Sequence, residues 1–97
     1  MGFSGLSIKK FVNTNSDASS IQIFSGLSKG IVLISNNGSL DGRYDALIFV
    51  ANANTIRVNR FNEGHESPYQ SYSMSNGVLS VSNTGYGVGA FTAYYLG

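Results

Sequence analysis

The hydrophobic rhythm of the chain changes between Tyr44 and Phe61. From Ala46 to Ala51 the residues Ala-Leu-Ile-Phe-Val-Ala are apolar without interruption, too few for an ordinary helix and rich in strand formers. That pattern predicts a strand covered on both faces, with Leu47, Ile48, Phe49 and Val50 all in the core. From Thr55 to Asn59 the pattern alternates instead. Ile56 and Val58 point one way and Thr55, Arg57 and Asn59 the other, as in a strand with one wet face. Asn52-Ala53-Asn54 between the two runs suits a tight connection, because Asn tolerates left-handed backbone at low cost. Residues 44–61 are therefore expected to form a central β-hairpin.

The remaining segments read the same way. Leu6–Val12 predicts a first strand, and its Lys9-Lys10 pair suits a sheet edge, where charge discourages edge-to-edge pairing. After a polar loop, Ser20–Phe24 alternates. A turn flanked by Gly26 and Gly30 leads into Ile31-Val32-Leu33-Ile34, apolar throughout and read as a core strand. Residues 35–43 and 62–68 are long loops, the second holding the only Pro and the only His. Tyr69–Met74 reads as a wet-faced strand, and Ser75-Asn76-Gly77 gives the strongest hairpin signal in the chain, returning through Val78–Val81. Residues 83–89 read as a flexible connection, and Ala90–Leu96 as the closing strand. About eight short strands separated by turn signals predict a single all-β antiparallel domain over residues 1–97, a sandwich or a barrel, with a jelly-roll-like β-sandwich favoured.

Composition narrows the function classes. Charged residues are 11% of the 97, well below the roughly 25% of ordinary soluble domains, and Ser, Asn and Gly replace them. Surfaces that meet another subunit carry few unpaired charges, so the low charge predicts a homo-oligomer, with a trimer favoured. A net charge of +1 with no basic run argues against nucleic acid as a partner. The absence of Cys removes disulfides, thiolate catalysis and Cys-ligated zinc. No apolar run is long enough to span a bilayer, and Met1–Gly5 lacks the pattern of a signal peptide.

A resemblance adds to this reading. It is carried by Ser20-Ile21-Gln22-Ile23, Gly30-Ile31-Val32-Leu33-Ile34-Ser35, Tyr44–Val50, Thr55-Ile56-Arg57-Val58, Gly77-Val78-Leu79-Ser80-Val81 and Ala93-Tyr94-Tyr95. In strand order and texture these segments resemble the small C-terminal β-domains of bacteriophage tail-fibre and receptor-binding proteins. The resemblance implies a β-sandwich, usually trimeric, exposed at a virion's tip as the end of a longer fibre. It implies a non-catalytic attachment module that binds a bacterial surface glycan or protein. Two other functions stay open: an architectural trimerising or capping domain with no ligand, and a carbohydrate-binding module of a secreted protein. The resemblance supplies no catalytic, cofactor or metal residues.

The residues themselves offer few chemical candidates. His65, between Glu63 and Glu66, could ligate a metal or act as a base, but there is no second His to pair with it. Asp41-Gly42-Arg43-Tyr44-Asp45 is too poor in acids for a calcium loop and reads as a turn. Gly85-Tyr86-Gly87-Val88-Gly89 lacks the following helix that phosphate cradling needs. Asn37-Gly38-Ser39 fits the N-glycosylation pattern, yet a turn is favoured. Arg60 shares the parity of Ile56 and Val58; a bulge, a buried pair or an interface contact would each account for a charge there, and it is expected to lie past the sheet's end, where the face is already wet. No enzyme, cofactor or metal site is predicted. The expected receptor contact is a rim built from Glu63, His65 and Glu66 with Tyr69 and Tyr72, since loops on a rigid scaffold concentrate binding residues. Tyr69 and Tyr72 have opposite parity, so at most one faces the core.

Overall fold

The computed structural model describes residues 8–15, 17–36, 45–61, 70–83 and 87–97. Every regular element among them is a strand: β1 (Ile8–Asn13), β2 (Ser20–Phe24), β3 (Gly30–Asn36), β4 (Ala46–Asn52), β5 (Thr55–Arg60), β6 (Ser71–Ser75), β7 (Val78–Ser82) and β8 (Phe91–Leu96). They form a five-stranded sheet in the order β1-β8-β3-β4-β5 and a three-stranded sheet in the order β2-β7-β6. All neighbours are antiparallel. The chain is thus the expected antiparallel β-sandwich. β1 and β2 lie in opposite sheets, as do β7 and β8, with β1 beside β8 and β2 beside β7; this is the jelly-roll-like part of the wrapping. β6 stays with β7 through its hairpin, which makes the two sheets unequal.

The core lies between the sheets. From the large sheet come Val32 and Ile34, Ile48 and Val50, and Phe91, Ala93 and Tyr95; from the small sheet come Ile23, Phe24, Leu79 and Val81. Phe11 meets Phe24 and Phe91, and Phe24 meets Tyr95, at ring-centroid distances of 6.1–6.5 Å, within the favourable range for tilted aromatic pairs. Tyr95 keeps its buried hydroxyl satisfied by donating to the Lys29 carbonyl at 2.5 Å.

The two-sided burial expected for β4 does not occur. Ile48 and Val50 are fully buried, but Phe49 is 46% exposed and Leu47 is half-buried. β3 behaves likewise: Val32 and Ile34 are in the core, while Ile31 and Leu33 are exposed. The sandwich has only two layers, so each sheet buries one face, and an apolar run cannot change that geometry.

Two other expectations need correction. The β4–β5 turn does not use left-handed Asn. Among the described residues the only non-glycine with positive φ is Asn76, in the β6–β7 turn where the Asn-Gly signal lay. Asn52 instead accepts the Asn54 amide at 2.8 Å, an Asx turn that fixes the connection by side-chain bonding. The connection before β8 is not free at its described end either: Gly87, Val88 and Gly89 are buried, and Val88 N–H donates to the Ala18 carbonyl at 2.9 Å.

The two ends of the sandwich differ. At one end lie the short turns 25–29, 53–54 and 76–77, together with the start of β1 and the end of β8. These turns are tied to one another. Leu27 N–H donates to the Gly77 carbonyl at 3.0 Å, Gly77 N–H to the Ala53 carbonyl at 2.7 Å, and Asn76 N–H to the Asn54 side chain at 2.8 Å. At the other end, strands stop and restart around the four longest connections, 14–19, 37–45, 61–70 and 83–90.

Candidate functional site

The strands that flank the sequence-predicted rim, β5 and β6, end and begin at the end of the sandwich from which the long connections depart. Glu63, His65, Glu66 and Tyr69 lie outside the described residues, as do the 37–44 motifs and Gly85-Tyr86. The scaffold that holds 62–69 is described on both sides. Arg60, the last residue of β5, donates from its guanidinium to the Gln70 carbonyl at 2.8 Å, so the strands before and after this segment are joined at its base. The same guanidinium lies over the Tyr72 ring, 6.0 Å from the centroid. Arg60 is thus the last paired residue of β5, opposite Ala46, rather than past the sheet's end as expected, and it is exposed there.

Tyr72 points inward. It is half-buried against the core alongside Ile21 and Met74, the role left to one of the two rim tyrosines. Burial pushes its hydroxyl pKa well above the ordinary tyrosine value; the nearby Arg60 charge opposes this and the Asp45 carboxylate adds to it. Its hydroxyl is therefore held neutral, and its ring serves as a packing wall for Arg60.

Buried amides stiffen the same end. Gln70 donates to the Val88 carbonyl at 2.7 Å, and Asn13 donates to the Gly89 carbonyl at 2.6 Å and to Asn15 O at 3.2 Å. These bonds clamp segment 87–89 between β1 and β6. Phe61, immediately after β5, is 53% exposed at this end. In the sequence Phe61 reads only as the close of a strand; its N–H donates to the Asp45 carbonyl at 3.2 Å, and it shares the outward parity of Arg57 and Asn59. Thr14, Asn15 and Asp17 add exposed polar groups.

The outer faces of the sandwich are opposites. On the small sheet, register aligns Ser20, Ser82 and Ser71 in one row and Gln22, Ser80 and Ser73 in the next, a polar face of the kind antiparallel sheets turn to water. On the large sheet, one row runs Ile8–Leu96–Ile31–Phe49 and the adjacent row Tyr94–Leu33–Leu47. Lys10 flanks these rows on β1, its ammonium 5.8 Å from the Tyr94 ring centroid, and Arg57 flanks them on β5.

Among the described residues no group of three or more His, Asp or Glu is placed to hold a metal, and no helix is long and apolar enough to cross a membrane. Comparison with known proteins returns no matching family model, no similar curated protein and no similar solved structure.

Proposed function

We propose that this chain is a non-catalytic attachment module, carried at the exposed end of a virion fibre, that contacts a bacterial surface glycan or protein through the end of the sandwich where its long connections gather. The observation that carries the reading is the contrast between the two ends. One end has tight turns bonded to each other. At the other, the strands flanking the four longest connections end on a base stiffened by the Arg60–Gln70, Gln70–Val88 and Asn13–Gly89 hydrogen bonds. Variable-length polar loops on a rigid β scaffold are the usual way such folds present recognition groups. Glu63, His65 and Glu66 supply donors and acceptors suited to hydroxyls, and Tyr69 and the exposed Phe61 supply faces for a sugar ring or an apolar side chain. The virion setting and the bacterial partner rest on the resemblance in strand order alone.

The architectural reading is favoured by a separate observation, the exposed apolar rows on the large sheet, which suit contact with protein more than with sugar. The test is binding of the fluorescently labelled chain to a panel of intact bacteria and to a glycan array, with a Glu63→Ala/His65→Ala/Glu66→Ala variant in parallel. Binding that the variant loses supports attachment. A chain that binds nothing on either panel refutes it and leaves the architectural role.

A further inference from the structure

We propose that the outer face of the five-stranded sheet is a self-association surface, covered by the same face of other copies of this chain. Three features of the face lead there.

The first is its extent. Ile8, Val12, Ile31, Leu33, Phe49, Tyr94 and Leu96 are each 37–67% exposed, and all lie on this face. At about 200 Å² per large apolar residue they leave roughly 600 Å² open. That is at or above the largest apolar patch of a typical monomer, about 300–600 Å². With the polar fringe of Thr92, Asn59 and Thr55 it approaches the roughly 800 Å² that each partner contributes to a standard stable interface.

The second is selectivity within one chain. The small sheet, made by the same alternation rule, turns serines and Gln22 outward. Only the large sheet carries apolar residues on both faces of its three inner strands, which is the two-sided pattern of a strand sandwiched between layers. The sequence of β3 and β4 specifies a second cover, and the described residues of one chain do not supply it.

The third is what the face excludes. The rows Ile8–Leu96–Ile31–Phe49 and Tyr94–Leu33–Leu47 hold no carboxylate; the cations of the face, Lys10 and Arg57, sit on opposite lateral strands, β1 and β5. Those two strands are also the sheet edges, where Lys9-Lys10 and Arg57 with Arg60 discourage edge-to-edge pairing. Charge therefore blocks lateral growth and leaves the face open. Two such faces packed about 10 Å apart bury apolar rows against apolar rows and leave the cations at the rim in water. A matching apolar sheet of the right size is present on every other copy, and symmetric self-contact is the commonest mode of assembly. This inference stands apart from the attachment reading: it concerns a different surface and survives if no receptor is found.

The experiment measures mass by light scattering and sedimentation equilibrium across the micromolar range for the whole chain and for Leu33→Glu. The expected result is an oligomer for the parent chain and a monomer for the variant, with unchanged far-UV circular dichroism. Because the chain has no Cys, single-thiol variants provide a second readout that does not depend on a destabilising charge. A short bis-maleimide is expected to join copies of Leu33→Cys and not copies of Ser73→Cys, which carries its thiol on the serine face. A monomeric parent chain throughout that range, or cross-linking of Ser73→Cys equal to that of Leu33→Cys, overturns the proposal.

Discussion

Two phenylalanines in the large sheet, one on each face, give a direct measure of one-sided burial. Phe91 is 1% exposed and packs its ring 6.1 Å from Phe11 in the core; Phe49 is 46% exposed on the outer face. Truncating Phe91 to Ala removes a fully enclosed ring and leaves a cavity, so the cost is about 3–5 kcal/mol. Phe49→Ala loses only the covered half of the ring, roughly 100 Å² at about 25 cal/mol/Å², and leaves no cavity. After allowing for a denatured state that is already partly collapsed, this is about 1–2 kcal/mol. Against a total of about 5–15 kcal/mol, the first change threatens folding and the second does not. The assay is urea denaturation followed by tyrosine fluorescence and circular dichroism at a dilution where the chain is monomeric. With a urea dependence of about 1–3 kcal/mol/M, the Phe91→Ala midpoint should lie below that of Phe49→Ala by on the order of 1 M. Equal midpoints, or a larger loss for Phe49→Ala in the monomer, would refute the assignment of the two faces. The proposed self-association predicts that the Phe49→Ala penalty grows at higher concentration, where an associated state would stabilise the parent chain more than the variant.

The turn end makes a second prediction. Gly77 has φ of 81°, and a Cβ there would stand 2.9 Å from the Leu27 carbonyl oxygen, so Gly77→Ala should cost well over 1 kcal/mol in the same denaturation assay. Gly26 has φ of 72° with only the Lys9 ammonium nearby, at 3.9 Å, so Gly26→Ala should cost about 1 kcal/mol. Tyr72 predicts a pH effect. Its folded pKa is raised, so the folded state holds the phenolic proton more tightly than the unfolded chain does. The associated stability is intact below the ordinary value near 10 and declines above it by up to about 1.4 kcal/mol per pH unit. Tyr72→Phe should flatten that decline in urea titrations run above pH 10; an unchanged slope contradicts the burial of the hydroxyl. Arg60→Ala removes the bond to the Gln70 carbonyl and should weaken cell binding while leaving the oligomer mass unaltered, measured by flow cytometry and light scattering together.

Strand positions were legible because they depend on local pattern. The alternation in Thr55–Arg60 and Ser71–Ser75 and the Asn76-Gly77 turn are readable from neighbours in sequence. Which face of β3 and β4 is covered was not legible. Ile31, Leu33 and Phe49 are as apolar as Val32 and Ile48, and only the number of layers, a property of the whole fold, separates them. The same limit applies to residues 87–89, whose glycines suggested freedom. Amides distant in sequence, Asn13 and Gln70, hold the carbonyls of Gly89 and Val88. At the candidate site the sequence pointed to Glu63, His65, Glu66, Tyr69 and Tyr72 by composition but could not show the Arg60–Gln70 bond beside them or the exposure of Phe61, since both depend on how β5 and β6 are placed in the whole fold.

The most direct test of the account is to block each end of the sandwich in turn and measure attachment to intact bacteria. Thr14→Cys places a thiol at the end where the long connections gather, and Ser28→Cys places one among the tied turns; both positions are exposed, and no native Cys competes. Each variant is coupled to a bulky polyethylene glycol maleimide and assayed for cell binding by flow cytometry, with circular dichroism verifying the fold. The account predicts that the adduct at position 14 abolishes binding and that the adduct at position 28 leaves it intact. Binding that survives the first adduct and is lost with the second would contradict it.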